Sequence, residues 1–167
     1  FRTQPVISPY QITLTQELSD SIRAVGTNSI IRELSVTHVP ASSVVADALH
    51  IPHGTKVCKV TRVRLVDGKP FAYCEGYLRA DLVPVFYKRD YDTSLSNLIR
   101  NKLKVHIGSR RCSFAAAAAD EAIAAALEVS FGAPVLKVSV FCTTYGDEPL
   151  LTDAFYFPAS QALNFDI

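Results

Sequence analysis

Two arginines one residue apart, Arg62 and Arg64, stand in a β-rich run from Lys56 to Val66. Side chains on a strand alternate with period two, so both guanidiniums share one face and form a potential anion clamp. Beyond Asp67-Gly68 a second β-rich run carries Tyr73, Glu75 and Tyr77, again at period two. On that spacing Glu75 is placed to accept hydrogen bonds from a polar ligand or to pair with an arginine. The competing reading is a solvated outer face with a cross-strand salt bridge, a common arrangement of small energetic weight.

Other reactive residue types do not assemble into known chemistry. The four cysteines, at 58, 74, 112 and 142, form no Cys-x-x-Cys pair, and their apolar or β-branched neighbours predict small buried thiols. His50 and His53 flank a Pro52 turn with no Cys or carboxylate nearby to complete a metal site, and His38 and His106 stand alone. There is no Gly-x-Ser-x-Gly elbow and no glycine loop of the kind that cradles phosphates. No metal and no cofactor is expected.

The elements that must position these residues follow from periodicity. Thr13 to Val25 places Leu14, Leu18, Ile22 and Val25 at helical spacing, with Gly26 as the stop. Ser29 to Val39 alternates as a strand until Pro40, and Ser42-Ser43 caps a short helix over Val44 to Leu49. Lys56 to Val66 and Phe71 to Arg79, joined by Asp67-Gly68-Lys69-Pro70, predict an antiparallel hairpin. Thr93 to Leu103 reads as a helix with Thr93 or Ser94 as N-cap, and Gly108 to Phe114 as a strand. The alanine run Ala115 to Ala119 leads into a helix through Asp120 to Leu127. A second hairpin, Val135 to Tyr145 and Pro149 to Phe157, turns at Gly146-Asp147-Glu148. This order is not alternating βαβ, so the expected class is α+β, an antiparallel sheet covered by helices. The two hairpin halves read as a loose internal duplication, and no linker divides residues 1–167 into two domains.

The chain has 167 residues, 49% of them hydrophobic and 20% charged, enough for one domain with its own core. Seventeen Lys plus Arg against sixteen Asp plus Glu leave a formal charge of +1, too little to hold nucleic acid unless the basic residues gather on one face. No run of apolar residues is long enough to span a membrane and the first residues carry no signal-peptide core, so a cytoplasmic protein without membrane contact is expected. The chain contains no Met, even at position 1, which suggests a fragment of a longer one.

The order and wording of several segments resemble the UTRA ligand-sensing domain of GntR-type transcription regulators of the HutC subfamily. They are Pro40-Ala41-Ser42 with Val45 to Leu49, Thr61 through Ala72, Ser94 to Leu98, Ala122 to Leu127, and Gly132 to Leu136. Arg-x-Arg ahead of Asp-Gly-x-Pro is the most specific piece. The resemblance implies a chorismate-lyase-like fold and a homodimer that binds operator DNA through an N-terminal winged helix absent from this chain. It also implies a small anionic metabolite as effector, contacted by Arg62 and Arg64, hydrogen-bonded by Glu75 beside Tyr73, with Ser94 lining the pocket. Thr15 to Ser19 would be a second anion anchor, where free helix amides point.

The C-terminal strand departs from that pattern: Leu151, Asp153 and Phe157 share a face where sugar-phosphate sensors carry a Glu and a more polar ending, so an amino-sugar phosphate is not the expected effector. The same ending is similar to the last strand of chorismate pyruvate-lyase, which implies an alternative enzyme with Asp153 as acid and Arg62 or Arg64 holding a carboxylate. Asp is one methylene shorter than the lyase's Glu, and a misplacement of about 1 Å can cost ~10²-fold in rate. Sensing without chemistry is therefore the primary expectation.

Overall fold

The computed structural model of the protein describes residues 11–13, 29–82, 95–161 and 164–166. Its strands are β1 (Gln11–Thr13), β2 (Ser29–Pro40), β3 (Lys56–Val66), β4 (Lys69–Arg79), β5 (Ile107–Ala118), β6 (Pro134–Thr144), β7 (Pro149–Pro158) and β8 (Asn164–Asp166). The helices are α1 (Ser43–Leu49), α2 (Leu95–Leu98), continued by a π-helical turn over Ile99–Leu103, and α3 (Glu121–Leu127). A 3-10 turn over Ala80–Leu82 follows β4. β1 pairs in parallel with β8, and the other six strands form one antiparallel sheet in the order β2-β3-β4-β7-β6-β5.

That order is symmetric about the β4–β7 seam. Each half runs strand, short helix, hairpin: β2-α1-β3-β4 and then β5-α3-β6-β7. The duplication expected from the two hairpins thus has a geometric form, and the fold is the α+β antiparallel sheet with helices that the sequence predicts.

Local chemistry sets the boundaries. The Ser42 hydroxyl accepts from the Val45 N–H at 3.4 Å and the Asp120 carboxylate from the Ile123 N–H at 2.8 Å, so each seven-residue helix begins at a side-chain cap. Both end on a non-glycine residue in the left-handed region, His50 and Glu128. At the hairpin tip Asp67 (φ 50°) and Gly68 (φ 77°) are both left-handed, the two-residue turn whose twist matches antiparallel strands. Lys69 and Pro70 therefore belong to β4 and not to the connection expected from sequence.

Other expectations need adjustment. The strand expected over Gly108 to Phe114 runs on through Ala115 to Ala118, which pair with Lys137 to Pro134 of β6, while the helix starts at the Asp120 cap as expected. The expected helix from Thr13 to Val25 lies outside the described residues except for Thr13, which is in β1. Cys58, Cys74 and Cys142 are buried as predicted, whereas Cys112 is exposed, since it lies on the edge strand β5.

Helices cover both faces of the sheet. On one, Leu95, Leu98 and Ile99 pack over Cys58, Val60, Leu78, Cys142 and Leu151. On the other, α1 packs Val45, Ala46 and Leu49 against Val57, and α3 packs Ile123, Ala124 and Leu127 against Val135. Among the described residues no helix is long and apolar enough to cross a membrane.

Candidate functional site

Register decides which side chains meet. In the β3–β4 pair Arg62 is opposite Cys74 and Arg64 opposite Ala72, and in the β4–β7 pair Cys74 is opposite Phe155 and Gly76 opposite Asp153. Directly opposed residues point to the same side of a sheet, so Arg62, Arg64, Cys74 and Asp153 share one face, the face under α2. Both arginines are 1% exposed and Asp153 is 4% exposed. The solvated outer face considered for the arginines is thereby overturned.

Arg62 and Asp153 approach diagonally across β4, with Nη2 to Oδ2 at 3.5 Å. The strand between them allows this because Gly76, next to Asp153, has no side chain. A Cβ there would stand 3.0 Å from Asp153 Oδ1 and would collide with Leu95 Cδ1. Leu95 thus closes over the glycine beside the carboxylate.

The charges are under strain from desolvation. Burial raises the Asp153 pKa to about 6, outweighing the lowering by Arg62, by Arg64 and by the Ala154 N–H. Asp153 Oδ1 is buried and accepts no hydrogen bond among the described residues. Both guanidiniums favour the thiolate of Cys74, which is opposite Arg62, yet burial dominates and pushes its pKa up to about 11. It is a packed thiol, not a nucleophile.

The expected grouping of Glu75 and Tyr73 with the arginines is corrected. Val66 and Lys69, then Leu65 and Pro70, pair as in a regular hairpin, but the next pair is Arg64 with Ala72, leaving Phe71 as an extra residue. That β-bulge reverses parity along the rest of β4. Phe71 and Ala72 are both buried, and Tyr73, Glu75 and Tyr77 turn to the opposite face, toward α1 and α3. There Glu75 accepts from Tyr77 Oη at 2.7 Å and Tyr73 Oη at 3.3 Å and pairs with Lys59 Nζ at 3.0 Å. For Glu75 the cross-strand salt bridge is what forms, with a lysine in place of an arginine.

Ser94, Thr15 and Ser19 lie outside the described residues. Period-two counting does not reveal Gly76 and Leu95 as parts of the site, because their roles depend on contact across three elements. Among the described residues no group of His, Cys, Asp and Glu is arranged to hold a metal. His53 instead contacts Asp47, Nε2 to Oδ1 at 2.9 Å, on the surface.

A buried cation pair beside a buried carboxylate, under a helix and within a duplicated six-stranded sheet, can be matched to known families. The UTRA domain model matches residues 24–162. The chain belongs to the UTRA domain family. Solved structures share this fold. The effector domain of PhnF from Mycobacterium smegmatis aligns with a TM-score of 0.81 at 18% identity, over 94% of this chain and 98% of that one. A structure of PhnF from the same organism aligns at 0.80 and 17% identity, over 95% of this chain and 71% of that chain. A transcriptional regulator of the GntR family from Enterococcus faecalis V583 aligns at 0.71 and 21% identity, over 79% and 95%. At these identities the likeness establishes the fold. No curated protein matches the chain.

Proposed function

We propose that this UTRA domain is the effector-sensing part of a cytoplasmic, homodimeric GntR-type regulator of the HutC subfamily. It binds a small anionic metabolite and passes the result to operator DNA through a winged helix outside residues 1–167. Arg62 and Arg64 hold the anionic group and Asp153 accepts a hydrogen bond from a donor on the same molecule. Ser94, Thr15 and Ser19 are the further contacts that the family resemblance assigns. The single observation that carries this reading is a pair of guanidiniums buried on one face beside a carboxylate oxygen with an open acceptor site. A buried acceptor such as Asp153 Oδ1 is costly to leave without a donor, and a ligand donor returns the lost solvation.

Asp153 tempers the choice of effector. A carboxylate near the clamp repels a dianion pressed against it, so a monoanion that also carries a hydroxyl or ammonium fits better than a bare phosphate. The lyase alternative has one supporting observation, a carboxyl with its pKa near 6, suited to donate a proton near neutral pH. It is the weaker reading, because the aligned structures include the effector domain of PhnF and a GntR-family transcriptional regulator.

Thermal denaturation with sugar phosphates, phosphonates and hydroxy acids tests the proposal. A true effector at about 100 times its Kd adds about 2.7 kcal/mol and a clear rise in Tm. No shift anywhere in the panel sinks the sensing role, and pyruvate release from chorismate by the pure protein would replace it with the lyase.

A further inference from the structure

The face of the sheet away from the arginines carries a cleft of about 300 Å³ beside α1, at the low end of the size of small-molecule sites. Register lays its floor and walls out in rows across the strands. Glu75, Ala154 and Ser139 form the middle row. Tyr77 and Thr152 lie on one side of it, and Tyr156 and Lys137 on the other. Ala154 and Ser139, the small residues of the middle row, leave a floor beside Glu75, and the flanking rows are about 13 Å apart along the strands, four residues at ~3.3 Å each. α1 packs on Tyr77, while α3 packs on Tyr73 and Tyr156, so the cleft falls between the helices, at the seam of the two halves.

Its charges are unequal. Glu75 is already engaged by Lys59, Tyr73 and Tyr77. Lys137 has no carboxylate partner among the described residues; its ammonium sits over the Tyr156 ring, 5.8 Å from the centroid. The hydroxyls of Ser139 and Thr152 make no hydrogen bond among the described residues. What remains in the cleft is one cation, two hydroxyls and two aromatic walls.

We propose that this cleft is a second small-molecule site, on the opposite face from the arginines, and that it takes a small aromatic carboxylate. The carboxylate lies against Lys137 and Ser139, and the ring lies over Ala154 between Tyr77 and Tyr156. A single ammonium matches a monoanion, and Glu75 beside the floor disfavours a second negative charge. The flat floor and ring walls favour an aromatic body over a sugar.

The test uses benzoate and 4-hydroxybenzoate as ligands of the 167-residue protein, followed by calorimetry and NMR. Expected are saturable binding, contacts from the ring protons to the Ala154 methyl, and an affinity unchanged in excess inorganic phosphate. Lys137→Ala weakens binding about tenfold, the loss of one charge-assisted hydrogen bond. Ala154→Leu, which fills the floor without altering charge, abolishes it. Absence of saturable binding, contacts elsewhere, or wild-type affinity in both folded variants overturns the second site. Displacement of benzoate by phosphate also overturns it, because the ligand then occupies the arginine face. Failure of the effector proposal would appear separately, as a missing response to acidic metabolites.

Discussion

Arg62 and Asp153 face each other across β4 at 3.5 Å, and the carboxylate still holds its proton more tightly than in water. Burial therefore outweighs attraction at this pair, an imbalance that a ligand with a donor group would relieve.

That imbalance fixes a pH dependence. The folded pKa of Asp153, about 6, lies above the unfolded value near ~3.9, so the native state binds the proton more tightly than the unfolded chain does. The contribution of Asp153 to stability is full below about pH 4 and is lost as pH rises to about 6. Asp153→Asn removes this slope, so urea unfolding at pH 4, 5, 6 and 7.5 should show the wild-type decline flattened in the variant. At pH 7.5 the variant is as stable as the wild type or more so; marked destabilisation there would contradict this account.

The same group controls anion affinity. Protonating Asp153 removes a negative charge from beside the clamp, so an anion that keeps its own charge over the range should bind more tightly as pH falls through about 6. Asp153→Asn should bind such an anion at pH 7.5 as tightly as the wild type does at pH 5. Equal pH profiles for both proteins, measured by calorimetry, would disconnect Asp153 from the anion site.

Removing the other partner acts in the opposite sense. Arg62→Met keeps much of the packed stem but strands Asp153 in a dry interior. Breaking a buried pair in this way costs about 3–5 kcal/mol. The loss should shrink at pH 5, where Asp153 is protonated, and Arg62→Met with Asp153→Asn should recover much of it. A loss that is the same at both pH values and in both backgrounds would leave packing as its cause.

The sheet, both hairpins, the capped helices and the Arg-x-Arg face were legible because alternation and turn chemistry act locally. Asp67-Gly68 specifies its turn almost unaided. The partnership of the arginines was not legible, since one bulged residue, Phe71, reverses which side chains of β4 oppose Arg62 and Arg64. A regular hairpin from the Val66–Lys69 pair would set Tyr73 opposite Arg62. Pro70, which lacks an N–H to donate beside the shift, was the available hint. Gly76 and the Ala115 to Ala118 segment were ambiguous for a related reason: small residues take their role from what packs on them.

The last prediction concerns Gly76, whose hydrogen is the space that Leu95 and Asp153 use. Gly76→Ala puts a methyl 3.0 Å from Asp153 Oδ1 and into Leu95 Cδ1, so the Leu95 side chain must shift. Overpacking of this kind costs about 1–3 kcal/mol. Gly68→Ala is the contrast: a Cβ there meets nothing within 4 Å, so only the left-handed backbone is penalised, by about 1–2 kcal/mol. Leu95→Ala should therefore rescue part of the loss in Gly76→Ala and none in Gly68→Ala. A double-mutant cycle from urea denaturation measures both couplings, and a Leu95–Gly76 coupling near zero would mean that α2 does not hold the carboxylate in place.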